Sequence, residues 1–421
     1  MKKILFLFLL FPIFAFSQVD SVPKKVTTET KKWYDNISIR GYSQIRYNRL
    51  LETNDKLMSE QGDKSMGGTG GFFIRRMRLI FYGQINKNVY VYVQPDFASS
   101  PATDKMNFAQ LRDAYFDLGI DHDNEYRFRI GQSKVPYGFE NMQSSQNRIP
   151  LDRNDALNSA VSNERDLGVF FYWAPKEKRK LMSSLVNDGL KGSGDYGIFA
   201  LGVYNGQTAN SLELNNEPHI VSRITYPFEV KNQIVELSLQ GYTGKFGISS
   251  ETETGAVTTK KYTDSKGVEY TVPKVVTKIA TTNYLDQRAA ASFILYPKPF
   301  GIQAEYNIGK GPEYNKDTKT IEVSTLHGGY VTASYLTKIK SQVLIPFVRY
   351  QYYDGGKKHE KDARSYVVKE LEFGAEWQLN KNFELVVNYT MAQKTAIDSK
   401  TIAGAETQSG NLLRIQAQVN F

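Results

Sequence analysis

The sequence predicts an all-β protein: a transmembrane antiparallel β-barrel of about sixteen strands, with long outer loops and mostly short periplasmic turns. Three observations predict it. The chain opens with an export leader. Apolar and polar residues then alternate with period two almost to the C-terminus. The connections between alternating segments are short at one end and long at the other.

The leader is MKKILFLFLLFPIFAFS, residues 1–17. Lys2 and Lys3 supply a positive start, Ile4 to Phe14 a short apolar core, and Ala15 and Ser17 the small residues of a cleavage site before Gln18. That combination is a secretory signal peptide, too short to span a bilayer as a helix. Residues 18–35 are polar and rich in Thr and Lys, and read as a flexible lead-in. The barrel occupies 36–421.

Strand periodicity begins at once. In NISIRGYSQIRY (36–47), Ile37, Ile39, Ile45 and Tyr47 share one face, and Arg40, Tyr42, Gln44 and Arg46 the other. In FIRRMRLIFYGQ (73–84), Met77, Leu79 and Phe81 oppose Arg76, Arg78, Tyr82 and Gln84. The last segment sets Leu413, Ile415, Ala417, Val419 and Phe421 against Arg414, Gln416, Gln418 and Asn420. Side chains alternate sides along a strand, so each segment has one greasy and one polar face. Sixteen such segments are expected: 36–47, 73–84, 88–97, 110–120, 125–133, 166–174, 196–205, 219–228, 234–243, 285–296, 300–308, 326–336, 343–353, 369–379, 382–392 and 410–421. Long loops are expected at 48–72, 134–165, 244–284, 309–325, 354–368 and 393–409. The join at 175–195 lies on the short-turn side yet is long, an irregularity the pattern does not explain.

An even strand count, segments of about ten residues and loops segregated by length are the signature of an outer-membrane barrel. A secreted β-sandwich also alternates, but it has no reason to gather its long loops at one end, and its polar faces would carry Lys and Glu rather than Arg, Tyr, Gln and Asn. Closure pairs every backbone donor and acceptor, which hydrocarbon demands. An Arg facing lipid at mid-membrane costs about 2–4 kcal/mol, so the Arg76 and Arg78 face is the lumen. Outward Tyr47, Phe97, Trp173, Tyr226, Phe300, Trp377, Phe383 and Tyr389 would form the interfacial girdles. Sixteen strands enclose an aqueous channel.

Composition removes other classes. The chain has no Cys, which excludes disulfide frameworks, Cys-ligated zinc and thiol catalysis. Its four histidines (His122, His219, His327 and His359) stand in no ligand spacing, so no metal and no cofactor is expected. The net charge of +9 is spread along the chain without a basic block, which argues against nucleic acid. The glycines at 67–71 fall in a loop before a strand and not at a strand-to-helix phosphate cradle. An enzyme is not expected.

Parity then yields a lumenal inventory. Arg40, Arg46, Arg76, Arg78, Arg127 and Arg129 face Asp96, Asp113 and Asp117 on the first strands. Glu236, Glu305, Glu372, Glu376 and Glu384 dominate the later ones, against Arg288 and Arg349, with Arg223 and Arg414 completing the basic set. The expected arrangement is a basic wall opposite an acidic wall, with Glu305, Glu372 and Glu376 as the opposing acids. The loop 134–165 carries Lys134, Arg148 and Arg153 among its charges, and is expected to fold inward as a constriction. Pairing of individual arginines with Asp113 and Asp117 across neighbouring strands is a purely structural alternative. Inward Tyr42, Tyr82, Tyr90, Tyr92 and Tyr115 admit a sugar-stacking reading.

Four stretches resemble the phosphate-selective porin O and P family: FFIRRMRLIFYGQI (72–85), LRDAYFDLGI (111–120), YRFRIGQSKVPYGFENM (126–142) and LLRIQAQVNF (412–421). The ordered set of Arg-Arg-x-Arg, Asp-Ala-Tyr and Gly-Gln-x-Lys-x-Pro carries the likeness. The resemblance implies an outer-membrane diffusion porin, a homotrimer of sixteen-stranded barrels passing small hydrophilic solutes, with phosphate-like anions preferred. The family's lumenal arginines match as types at Arg76, Arg78, Arg127 and Arg129, and Lys134 begins the third long loop. Outer-membrane lipids and the barrel assembly machinery are the other partners implied. The competing reading is a non-transporting outer-membrane barrel that displays its loops for adhesion or partner docking.

Overall fold

The computed structural model describes residues 32–57, 70–99, 107–263, 269–399 and 407–421. The leader at 1–17, most of the lead-in at 18–35 and part of the glycine run at 67–71 lie outside them. The strands are β1 (Ile37–Leu50), β2 (Phe72–Gln84), β3 (Val89–Ser99), β4 (Phe108–Gly119), β5 (Tyr126–Lys134), β6 (Arg165–Trp173), β7 (Phe199–Tyr204), β8 (His219–Val230), β9 (Gln233–Thr263), β10 (Glu269–Leu295), β11 (Phe300–Asn315), β12 (Thr320–Tyr335), β13 (Thr337–Ile339), β14 (Gln342–Gly356), β15 (Ser365–Asn380), β16 (Phe383–Ile397) and β17 (Gln408–Asn420). β13 is a three-residue continuation of β12 that pairs with the same neighbour, β14. The wall therefore has sixteen strands.

Every strand pairs antiparallel with its neighbours in sequence, and β1 pairs with both β2 and β17. Tyr42 stands opposite Asn420 at that seam, and Gly41 and Phe421 exchange both backbone hydrogen bonds at 2.7 and 3.0 Å. The sheet thus closes without an edge. Burial follows the sequence alternation: Gln44 and Arg46 are buried while Ile45 between them is half exposed, and Arg76 and Arg78 are buried while Met77 is exposed. The outside is apolar and the inside polar, as a lipid solvent requires.

The structure departs from the expected loops in three places. The expected long loop at 309–325 is mostly strand, because β11 and β12 stay paired out to Asn315 opposite Thr320. The expected long loop at 244–284 is largely strand. Beyond Thr243 the strand β9 pairs only with β10, as a two-stranded ribbon that reaches about 65 Å at ~3.3 Å per residue. Its Thr- and Val-rich sequence favours extended backbone, but short periodic runs do not show where a hairpin leaves the wall. The 175–195 join contains a helix, α3 (Lys176–Asn187), at the end of the barrel where β1 begins and β17 ends. The strand reading had no place for it, although its Leu181, Leu185 and Met182 make an amphipathic face.

Candidate functional site

Two insertions enter the lumen. The first is 135–164, between β5 and β6. It carries two short helices, α1 (Phe139–Met142) and α2 (Asp155–Ala160), the second capped by the Asn154 side chain accepting from the Leu157 amide at 2.9 Å. Its backbone is held by inward side chains of the far wall. The Phe139 and Glu140 amides donate to the Glu305 carboxylate at 2.6 and 2.9 Å, and the Asp155 amide donates to Gln351 at 3.0 Å. Arg349 donates to the Asp152 carbonyl at 2.7 Å, and Tyr137 to Asn307 at 2.5 Å. On the near wall, Lys134 donates to the carbonyls of Met142 and Gln143 at 2.9 and 2.7 Å, and Gln44 to that of Ser145 at 3.2 Å. Val135, Tyr137, Leu157 and Val161 pack on inward Phe170, Tyr172, Tyr204 and Tyr242, so apolar contacts fill the β6–β12 side of the interior.

The second insertion, 174–198, enters from the other end. Leu185 and Leu190 pack against Phe139, Ile234, Ile294 and Tyr296. Gln143 of the first insertion donates to the Lys191 carbonyl at 2.7 Å, so the two segments touch inside the barrel. Arg179 and Arg127 both bond Asp195 at 2.8 Å, tying the helix to the wall.

Against this frame the expected pore-lining cations divide into three groups. The first is committed to carboxylates. Arg78 pairs with Asp96 at 2.7 Å, Arg127 with Asp195, and Arg129 with both oxygens of Asp117 at 2.7 and 2.9 Å while stacking on Tyr115. Arg153 pairs with Glu164, and Arg46 with Asp152 at 2.7 Å. The cross-strand alternative therefore describes Arg129 on Asp117, whereas Asp113 is taken at 2.9 Å by Arg165, which reaches it from β6 across β5. The second group uses neutral acceptors: Lys134 as above, and Arg76 on the Gln44 amide oxygen at 2.8 Å. The third group has Arg148 alone, apart from Arg40. Arg148 is 4% exposed, and none of its three nitrogens has a hydrogen-bond partner; among the described residues no carboxylate lies within ion-pair distance. Arg40 is exposed at the terminal mouth, over the Tyr82 ring.

The expected acidic wall is not a free acidic surface. Glu305 holds the first insertion, Glu372 accepts from Arg414 at 2.8 Å, and Glu376 accepts from Lys191 at 2.5 Å. Each of these three acids is spent on a cation or on backbone amides, which offsets the cost of burying it; Glu384 alone of the expected acidic wall has no such partner among the described residues. The simple two-wall picture is corrected accordingly.

Parity missed two residues that matter. Arg75 should point to lipid with Met77, but β1 and β2 slip register between Gln44 opposite Arg76 and Ile45 opposite Ile74. Arg75 is the extra residue of that bulge. It turns inward far enough to stand 3.6 Å from Asp152. Lys191 sits in the join that the strand pattern left unexplained. The doubled arginine at 75–76 was a visible hint of the first; the second had no signal, since its role comes from a distant Glu.

A closed antiparallel wall of sixteen strands, apolar without and densely charged within, defines an outer-membrane channel of the Gram-negative type. The chain belongs to the phosphate-selective porin O and P family, whose model matches residues 54–421. Among solved structures it resembles the outer membrane channel DcaP of Acinetobacter baumannii, at 13% identity over 91% of this chain and 97% of that one, with a TM-score of 0.52. It also resembles OmpF of Salmonella typhi in complex with daunomycin, at 14% identity over 92% and 98%, with a TM-score of 0.51. No curated protein matches the sequence. Family and fold together describe a channel rather than an enzyme.

Proposed function

We propose that the protein is a diffusion channel for small hydrophilic solutes that prefers anions, phosphate-like anions among them, and works as a homotrimer assembled by the barrel assembly machinery. The insertion 134–165 is its constriction. The observation that carries the anion preference is the Arg148 guanidinium, buried on that insertion without a hydrogen bond or ion pair among the described residues. Glu140 and Asp152 attract it from beyond ion-pair distance, while Arg75, Arg76, Lys134 and Arg153 add positive charge around it. Burying a lone cation costs several kcal/mol unless something compensates it, and a passing anion does so. At about 4 Å and an effective dielectric near 20, one unit charge attracts an anion by roughly 4 kcal/mol. A fraction of that biases permeation about tenfold. Arg76, without a carboxylate of its own, and exposed Arg40 extend the basic path along β1 and β2. The phosphate-like class rests on the family.

The test is the reversal potential of wild type, Arg148→Ala and Arg76→Ala channels in a salt gradient across a planar bilayer. Wild type prefers anions, and each variant moves toward cations. Cation preference in the wild type sinks the reading.

A further inference from the structure

We propose that the second insertion builds a separate selectivity station at the periplasmic mouth, a small-anion exit whose sign is set by Lys191. The proposal rests on the anion-channel reading above. The chain is led into the lumen by Gly189, whose φ of 72° is open to glycine, and Lys191 itself holds a left-handed φ of 66°. A non-glycine residue in that region is held there by its surroundings. Here those are the Gln143 bond to its carbonyl and the Glu376 bond to its ammonium, with Lys191 and Glu376 both buried.

Glu376 has a near neighbour of its own charge. Gln378 on β15 stands opposite Glu384 on β16, and Gln378 donates to Glu376 at 2.6 Å. Glu384 has no hydrogen bond or ion pair among the described residues, and it interacts electrostatically with Glu376 and Lys191. Lys191, Gln378 and Glu384 line a cavity of about 220 Å³ together with Arg40, Gln146, Asn147 and Lys381. The cavity lies between the tip of the first insertion and the periplasmic turns, beside β1 and β15–β17. An anion leaving Arg148 toward the periplasm would meet Glu384 there, with Glu376 buried behind Lys191. Lys191 masks Glu376 and shares the cavity lining with Glu384, Arg40 and Lys381. The insertion thereby turns an acidic exit into one that anions can cross.

The experiment is a reversal-potential series on the full-length protein: wild type, Lys191→Met, Glu384→Gln, and the triple variant Lys191→Met/Glu376→Gln/Glu384→Gln. Lys191→Met shifts the anion-to-cation permeability ratio toward cations by about threefold or more, less at high salt. Glu384→Gln alone shifts it toward anions, and the triple variant returns to the wild-type ratio or beyond. The proposal is overturned by an unchanged ratio in Lys191→Met, by a triple variant that stays as shifted as Lys191→Met, or, should Lys191→Met fail to assemble, by an unchanged ratio in Glu384→Gln. A wild type without anion preference defeats the Arg148 reading, yet the direction of these shifts still decides the role of Lys191.

Discussion

Gly41 and Phe421 close the barrel as a pair. They exchange both backbone hydrogen bonds, and the Phe421 ring occupies the space a side chain at 41 would need: a Cβ there would lie 2.5 Å from the ring and 2.6 Å from the Arg78 carbonyl oxygen. The last residue of the chain is thus fitted to a glycine near its first strand. Deleting Phe421 removes the final rung of the seam, and Gly41→Val displaces the ring from the same place. Both changes are expected to lower the amount of heat-modifiable protein in the outer membrane. Unaltered assembly in both would show that the seam tolerates its own disruption.

Arg148 and Arg129 are expected to separate selectivity from stability. Arg148→Ala removes a charge without a bonded partner, so the folded barrel keeps its thermal midpoint while anion preference falls. Arg129→Ala strands buried Asp117, a loss on the order of 3–5 kcal/mol. Melting in detergent together with reversal potentials reads both quantities. The wild-type anion preference also weakens between about 0.1 and 1 M salt, as the screening length shortens from roughly 10 to 3 Å. A stability loss in Arg148→Ala as large as in Arg129→Ala would count against the assignment.

Asp152 acts as a fixed counter-ion. It accepts from Arg46 at 2.7 Å and Arg414 at 2.8 Å, with Arg75 at 3.6 Å. Asp152→Asn removes the one negative charge that Arg46, Arg75 and Arg414 share, although Arg414 keeps Glu372 and Arg46 keeps Gln416. The expected result is stronger anion preference than wild type and a lower melting midpoint. Weaker anion preference would mean that Asp152 positions the free arginines rather than neutralising their neighbours.

The periplasmic helix should be docked by a carboxylate at all ordinary pH values. Burial alone would raise the Asp195 carboxyl, but Arg127 and Arg179, with hydrogen bonds from Arg179 and the Gly197 amide, outweigh it and hold it below the usual range. A depressed folded value stabilises fully above the unfolded value of about 3.9 and is lost as pH falls through the folded one. Fluorescence of Trp173, which packs against Ala174, Met182 and Ile198, should therefore stay constant from pH 8 to about 5 and change only below about 4. Asp195→Asn should show the altered signal at every pH and admit trypsin to the Lys- and Arg-rich helix at pH 7.5. A wild-type transition near neutrality would refute this docking.

The wall was legible in the sequence because its cause is local. A strand exposes one face to lipid and the other to the lumen, so residues two apart must agree, and each of the sixteen expected segments falls within an observed strand or overlaps most of it. Faces followed by parity wherever the ladder is regular, and failed at Arg75, where a bulge inserts one residue and turns its side chain inward. The ribbon of β9 and β10 was hidden because pairing between two strands leaves no mark on the alternation of either one.

The sequence by itself determined the export leader as an expectation, the strand count, the polar lumen and the set of inward charges. Only the tertiary structure decided which of those charges are free. Arg46 and Arg414, at opposite ends of the chain, meet at Asp152 on an insertion between them, Arg127 finds Asp195, and Lys191 finds Glu376. Ion pairing depends on distances of a few ångströms between residues far apart in the chain, and periodicity carries no information about which distant carboxylate will arrive. Arg148 differs from the other expected cations in being buried with no bonded partner on any of its three nitrogens, and that is a property of the folded interior alone.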